Sequence, residues 1–229
     1  MTDKTTELTN LNPRLTEFQD TLYAKFAEDN QTATKGQTVF VGSSLMETLP
    51  IEKWEAERDL NLPAHIYNRG VRATTTADLL AHMDLQIFDL APAKVFINIG
   101  SNDLGFNVPE ETFLANYKQI ITEIQNRLPE TQIYVMKYYP MNKENDFSRT
   151  DPDGKEAVKQ LNHDRSNDKL SSANIKVEAL ANELGVNYID VNAGLADENG
   201  NLKQKLTFDG SHMLPAGFEI VLANMKQYL

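Results

Sequence analysis

The chain has 229 residues, 41% of them apolar, and a formal net charge of −11 at neutral pH. That suits one large α/β domain, and acidic residues spread along the chain without clustered Lys and Arg speak against nucleic acid and anionic lipid as partners. With no cysteine, disulfides, thiol catalysis and cysteine-bound zinc are excluded. The opening Met1-Thr2-Asp3-Lys4 lacks the apolar core of a secretory signal, and no apolar run reaches the roughly 20 residues that span a bilayer. A cytoplasmic protein without stable membrane insertion is the expectation.

Asn12 before Pro13 reads as a helix N-cap and first helical position. Leu15, Phe18, Leu22 and Phe26 then recur at helical spacing, which predicts a helix with one apolar face. That face covers either its own domain, the commoner use of such a stripe, or a second copy of the chain, so a homodimer stays open. With the polar stretch from Asp29 to Gln37, this gives an N-terminal element, residues 1–36, packed on a domain of residues 37–229.

Val39-Phe40-Val41 is a β-branched apolar run that breaks at Gly42 into Ser43-Ser44, the pattern of a buried strand ending in a turn to helix. Further strands are predicted at Ala64 to Asn68, Lys94 to Ile99, Gln132 to Tyr138 and Val186 to Asp190. Helical patterns separate them at Thr75 to Met83, Pro109 to Leu128 and Asp168 to Leu184, and another follows at Pro215 to Tyr228. Alternation of this kind implies right-handed crossovers and a parallel sheet of roughly five strands covered on both faces, a three-layer α/β/α sandwich. Ligands of such sheets bind beyond the carboxyl ends of the strands. Ser44, Gly70, Asn102 and the Tyr138–Tyr139 loop all fall at such ends. The segment 141–167 is polar and carries Asp151-Pro152 and Asp153-Gly154 turn signals; a loop of that length in a compact domain is functional or mobile.

A serine hydroxyl is a poor nucleophile until a base takes its proton, and the base needs a carboxylate to orient it. Thr207-Phe208-Asp209-Gly210-Ser211-His212 offers both partners on one tight loop, with Pro215 placed to open the last helix. Asp209 and His212 can pair within the loop and leave the far imidazole nitrogen for Ser44. In isolation an Asp-x-x-His before a helix is as readily a cap. Of the other histidines, His65 begins a strand, His82 lies in a helix, and His163 sits in the polar loop where substrate contact is open. Acyl transfer also needs donors aimed at the developing oxyanion, each worth about 10²–10³-fold in rate. The Ser44 amide, the Gly70 amide and the Asn102 side chain are the candidates, although singly Gly70 reads as a turn residue and Asn102 as an Asx turn or cap. Asp103 anchors the loop. Tyr138, Tyr139 and His163 are candidates for substrate contact.

Four segments together resemble the blocks of the GDSL, or SGNH, hydrolase family: Gly42-Ser43-Ser44-Leu45, Asn68-Arg69-Gly70, Gly100-Ser101-Asn102-Asp103 and Asp209-Gly210-Ser211-His212. Each is short, but they occur in the family's order over most of the chain. The resemblance implies a flavodoxin-like sandwich, a Ser44–His212–Asp209 triad, an oxyanion hole of Ser44, Gly70 and Asn102, and ester or thioester hydrolysis with no metal or cofactor. The spacing looks closest to the branch resembling platelet-activating-factor acetylhydrolases and bacterial lysophospholipase-like esterases, acting on acetyl or other short acyl esters of small molecules. One position departs from the pattern: the family has Asp before the serine, and here it is Ser43. Two rival readings remain, a catalytically silent ligand-binding module and a phosphate- or nucleotide-binding doubly wound domain using Gly42-Ser43-Ser44 as an anion nest. No Walker or G-x-G-x-x-G pattern supports the second.

Overall fold

Continuous apolar runs in the central strands, buried on both faces by flanking helices, organise the chain into three layers. The computed structural model describes residues 13–147 and 164–229. Within them, β1 (Thr38–Gly42), β2 (Ile66–Asn68), β3 (Lys94–Asn98), β4 (Gln132–Met136) and β5 (Asn187–Ile189) pair in parallel in the order β2-β1-β3-β4-β5. The chain leaves β1 for β2 on one side and returns as β3 on the other. The carboxyl ends of β1 and β3 therefore flank a topological switch point, where sheets of this kind bind ligands.

Strand pleating sends Val39, Val41, Val95, Ile97, Ile133 and Val135 to one face of the sheet. They pack there against α4 (Thr76–Ala81), α5 (Met83–Gln86), α7 (Glu110–Arg127) and α8 (Asn167–Glu183). Phe40, Phe96 and Met136 point the other way, with Ile66 and Ile189 beside them. They meet α2 (Ser44–Glu47), α3 (Ile51–Glu57) and α9 (Pro215–Met225) through Met46, Trp54, Phe218 and Leu222. Phe96 lies edge-on to Phe40 at 5.2 Å and stacks on Tyr134 at 4.6 Å. Fully burying an apolar side chain of this size stabilises by about 1.5–3 kcal/mol, so the two faces hold the sheet from both sides.

Helix α1 (Pro13–Asp29) keeps three of the four predicted stripe residues inward, with Gln19 in place of Phe18. Gln19 and Phe26 are buried and Leu15 and Leu22 half-buried, while Phe18 is exposed and covers the Arg72 guanidinium at 4.1 Å. The reason is polar. Gln19 Nε2 donates to the Arg72 carbonyl at 2.8 Å, and buried Arg69 stacks on Phe26 while donating to Asn30 Oδ1 at 3.0 Å. The helix docks by these bonds as much as by apolar area. Asn12, the predicted cap, lies outside the described residues.

Strands β2 to β5 fall one or two residues short of the predicted runs at one end or both, although pairing continues past them: Lys137 N–H still donates to the Ile189 carbonyl at 2.9 Å. Helices α2, α3, α5 and α6 (Ser101–Gly105) have only one or two turns, too short to show a helical period in the sequence. Among the described residues no helix is long and apolar enough to cross a membrane.

Candidate active site

Gly42 closes β1 because nothing larger fits: a Cβ there would stand 2.3 Å from the Asn98 carbonyl oxygen of β3. The chain turns immediately, and Ser44 becomes the first residue of α2. Its N–H, in the first helical turn, has no acceptor within the helix. Ser43, the position where the family has Asp, is buried and makes no capping hydrogen bond to the helix. Only its backbone is engaged, its carbonyl accepting from Met46 and Glu47, both at 3.0 Å.

At the far end of the chain, Thr207 to His212 fold on themselves. Gly210, at φ +86°, reverses the chain, and its N–H donates to Thr207 Oγ1 at 2.8 Å. Asp209 Oδ1 accepts the amides of Ser211 and His212 at 2.8 and 2.7 Å, which leaves Oδ2 to accept from His212 Nδ1 at 2.5 Å. A carboxylate can only accept, so the imidazole carries its proton on Nδ1 and offers the Nε2 lone pair. Ser44 Oγ donates to that nitrogen at 2.9 Å, across 168 residues of sequence. Burial by itself would raise the Asp209 carboxyl, but the hydrogen bond and charge of His212 and the two amides hold it below the ordinary carboxylate range. Phe208 stacks on the outer face of His212 at 5.8 Å and screens it.

Gly70 and Asn102 reach the same end of the sheet by different means. A Cβ on Gly70 would lie 2.3 Å from the Glu47 amide nitrogen, so the glycine is needed for the β2 loop to press on α2. Its own N–H donates to Asn68 Oδ1 at 3.0 Å, while Asn68 Nδ2 donates to the carbonyls of Met46 and Leu49 at 2.6 and 2.9 Å. The amide read from sequence as an oxyanion donor is therefore occupied by Asn68, because the loop is built as an Asx turn. Glu47 adds a second clamp, accepting from Arg72 Nε at 2.6 Å and from Arg72 N–H at 3.0 Å.

Asn102 is buried in α6 and gives one amide proton to the Thr74 carbonyl at 2.9 Å. Asp103 beside it accepts from the Thr76 hydroxyl at 2.6 Å and the Thr76 amide at 3.0 Å, tying α6 to the start of α4. Burial pushes its carboxyl from the ordinary 3.8 up to about 7, against the pull of the Thr76 bonds. The folded chain then holds a proton that the unfolded chain releases, so this contribution to stability is full below about pH 4 and is lost as pH rises through about 7. Asp103→Asn keeps an oxygen for Thr76 and removes the titration. Melting temperatures at pH 5 and pH 8 should show the wild type losing more stability between the two than the variant; parallel curves would refute this origin of the pH dependence.

Tyr138 and Tyr139 line the cleft beside α2 with Leu45, Ser101 and Ser211. Both are expected from the sequence to touch substrate. The Tyr138 hydroxyl already donates to the Ile99 carbonyl at 2.8 Å, and Tyr139 packs in the core on the other face of the sheet. His163 lies outside the described residues. His65 pairs with Glu55 and His82 stacks on Tyr23, both away from Ser44. Among the described residues no cluster of His, Asp and Glu could hold a metal ion. Sequence reasoning passed over Arg165, which enters the cleft wall from the polar 141–167 segment. It sits in no motif and on no periodic face, so nothing in the sequence singles it out.

Residues 40–220 match the model of the GDSL-like lipase/acylhydrolase family. Among solved structures, a Streptococcus pneumoniae protein described as a candidate platelet activating factor is 28% identical, with a TM-score of 0.81 over 97% of this chain and 98% of its own. A candidate acylhydrolase of Bacteroides fragilis is 18% identical, with a TM-score of 0.71 over 90% of this chain and 94% of its own. An acetyl xylan esterase of Geobacillus stearothermophilus is 15% identical, with a TM-score of 0.60 over 85% and 95%. At those lower identities the likeness shows the shared fold alone. A search of curated proteins finds no match.

Proposed function

This chain belongs to the GDSL-like lipase/acylhydrolase family, and we propose that it is a serine esterase that cleaves acetyl or other short acyl esters through an acyl-enzyme on Ser44. The observation that carries this reading is the unbroken hydrogen-bond chain from Ser44 Oγ through His212 to Asp209. His212 Nε2 takes the Ser44 proton as Oγ attacks the acyl carbonyl, and Asp209 stabilises the imidazolium that results. Negative charge then builds on the carbonyl oxygen. The Ser44 N–H and the second amide proton of Asn102 are the donors assigned to it, and the Gly70 N–H joins them only by leaving Asn68. His212 returns its proton to the departing alcohol, and a water activated by the same imidazole releases the acid.

A short acyl group is in keeping with the apolar cleft beside Leu45, the residue after Ser44, walled by the buried side chains of Tyr138, Tyr139, Met141 and Leu170. That the structural relatives include an acetyl xylan esterase agrees with a small acyl group without fixing the alcohol. The test combines fluorophosphonate labelling with p-nitrophenyl esters of graded chain length. We expect covalent modification of Ser44 and turnover that falls from acetate and butyrate to longer chains. A purified wild type that neither labels nor turns over any ester would make the chain the silent binding module instead.

A further inference from the structure

Arg165 stands just before Ser166, the N-cap of α8, and turns its side chain inward to the cleft, where it is 7% exposed. Nη1 donates to Asn102 Oδ1 at 3.4 Å and Nη2 to Ser211 Oγ at 3.3 Å. The two partners belong to the two halves of the site. Asn102 follows β3 at the switch point, and Ser211 lies between Asp209 and His212.

A guanidinium only donates, and its fork is rigid, so it can face only the oxygen of the Asn102 carboxamide. The Thr74 carbonyl only accepts, so it faces the nitrogen. Between them the amide is held in one of its two flips, in which the nitrogen gives one proton to Thr74 and keeps its second for the donor role assigned above. Both arginine contacts are long for charge-assisted hydrogen bonds. What they supply is direction: the Asn102 oxygen is held on the arginine side and the amide nitrogen away from it. Burial pulls the guanidinium down to about 10 and the Asp209 charge works against that, so the group stays charged at neutral pH.

We propose that Arg165 is a positioning residue for ester hydrolysis: it fixes the donating orientation of Asn102 and ties that donor through Ser211 to the Asp209–His212 loop. The inference rests on the serine-esterase reading given above.

The test is steady-state kinetics on p-nitrophenyl acetate for wild type, Ser44→Ala, Arg165→Lys, Arg165→Met, Asn102→Ala and the Asn102→Ala/Arg165→Met double variant. Loss of an oxyanion donor costs about 10²–10³-fold, and loss of its support should lower the kcat of Arg165→Met by about tenfold or more with KM within about threefold. Arg165→Lys keeps the charge without the fork and should fall between. In the Asn102→Ala background Arg165→Met should cost no more than about twofold further, because its effect runs through Asn102. Full kcat in Arg165→Met, or costs that simply multiply in the double variant, would overturn the proposal. If Arg165→Met does not fold, Arg165→Lys carries the same comparison in both backgrounds, and wild-type kcat there overturns it equally. Turnover that survives Ser44→Ala instead defeats the esterase reading beneath it, an outcome distinct from Ser44-dependent turnover with indifferent Arg165 variants.

Discussion

Ser44→Ala should lower kcat for a short acyl ester by about 10⁴-fold or more, with a melting temperature close to wild type. The hydroxyl makes one hydrogen bond, to His212, while α2 is held by backbone bonds to Ser43 and by the Asn68 and Glu47 clamps. Deleting one oxygen therefore leaves those supports in place. What remains is binding and oxyanion stabilisation without a nucleophile, and fluorophosphonate labelling should vanish with the turnover. Ser43→Ala is the control. Its side chain makes no capping bond to the helix, so the variant should keep activity within a few-fold of wild type, here meaning roughly 2–5-fold. A dead Ser43→Ala beside a live Ser44→Ala would move the nucleophile by one residue and break the hydrogen-bond chain as assigned.

Asp209→Asn should cost about 10⁴-fold in kcat for a different reason. The asparagine oxygen can replace Oδ1 and keep the amides of Ser211 and His212, so the loop should still fold. Its nitrogen then faces His212 Nδ1 and must donate. The imidazole is driven to the tautomer protonated on Nε2, which turns a donor toward Ser44 and leaves no base for its proton. The carboxylate also stabilises the fold: its pKa is held below the ordinary range, so its contribution is present above that range and fades as pH falls through the lowered value. Melting curves at neutral and acid pH should show wild type and Asp209→Asn converging toward low pH. Wild-type turnover in Asp209→Asn would mean that His212 is oriented by some other group.

The layered architecture was legible in the chain because each strand announces itself locally. Val39 to Val41, Val95 to Ile97 and Ile133 to Val135 are apolar on both faces, as a strand covered by helices requires, and long helical patterns lie between them. The carboxylate and the imidazole were legible too, since Asp209 and His212 pair across two residues of one loop. Helices α2, α3, α5 and α6 were not, because one or two turns leave no period to read. Of the predicted α1 stripe only Phe18 turns outward, and Gln19 and the Arg69–Asn30 pair that help dock the helix were not legible, because polar anchors carry no hydrophobic signature.

Residue types at strand ends were determined by the sequence itself: a serine after Gly42, an asparagine after Gly100, an Asp-x-x-His before Pro215. Which of their atoms are available was decided only by tertiary structure. The Gly70 amide is taken by Asn68, and the Tyr138 hydroxyl by Ile99. Arg165, without a motif, is brought against Asn102 across 63 residues. The physical reason is that a residue's identity fixes how many hydrogen bonds it can make, while its partners depend on contacts far away in sequence that no local pattern encodes.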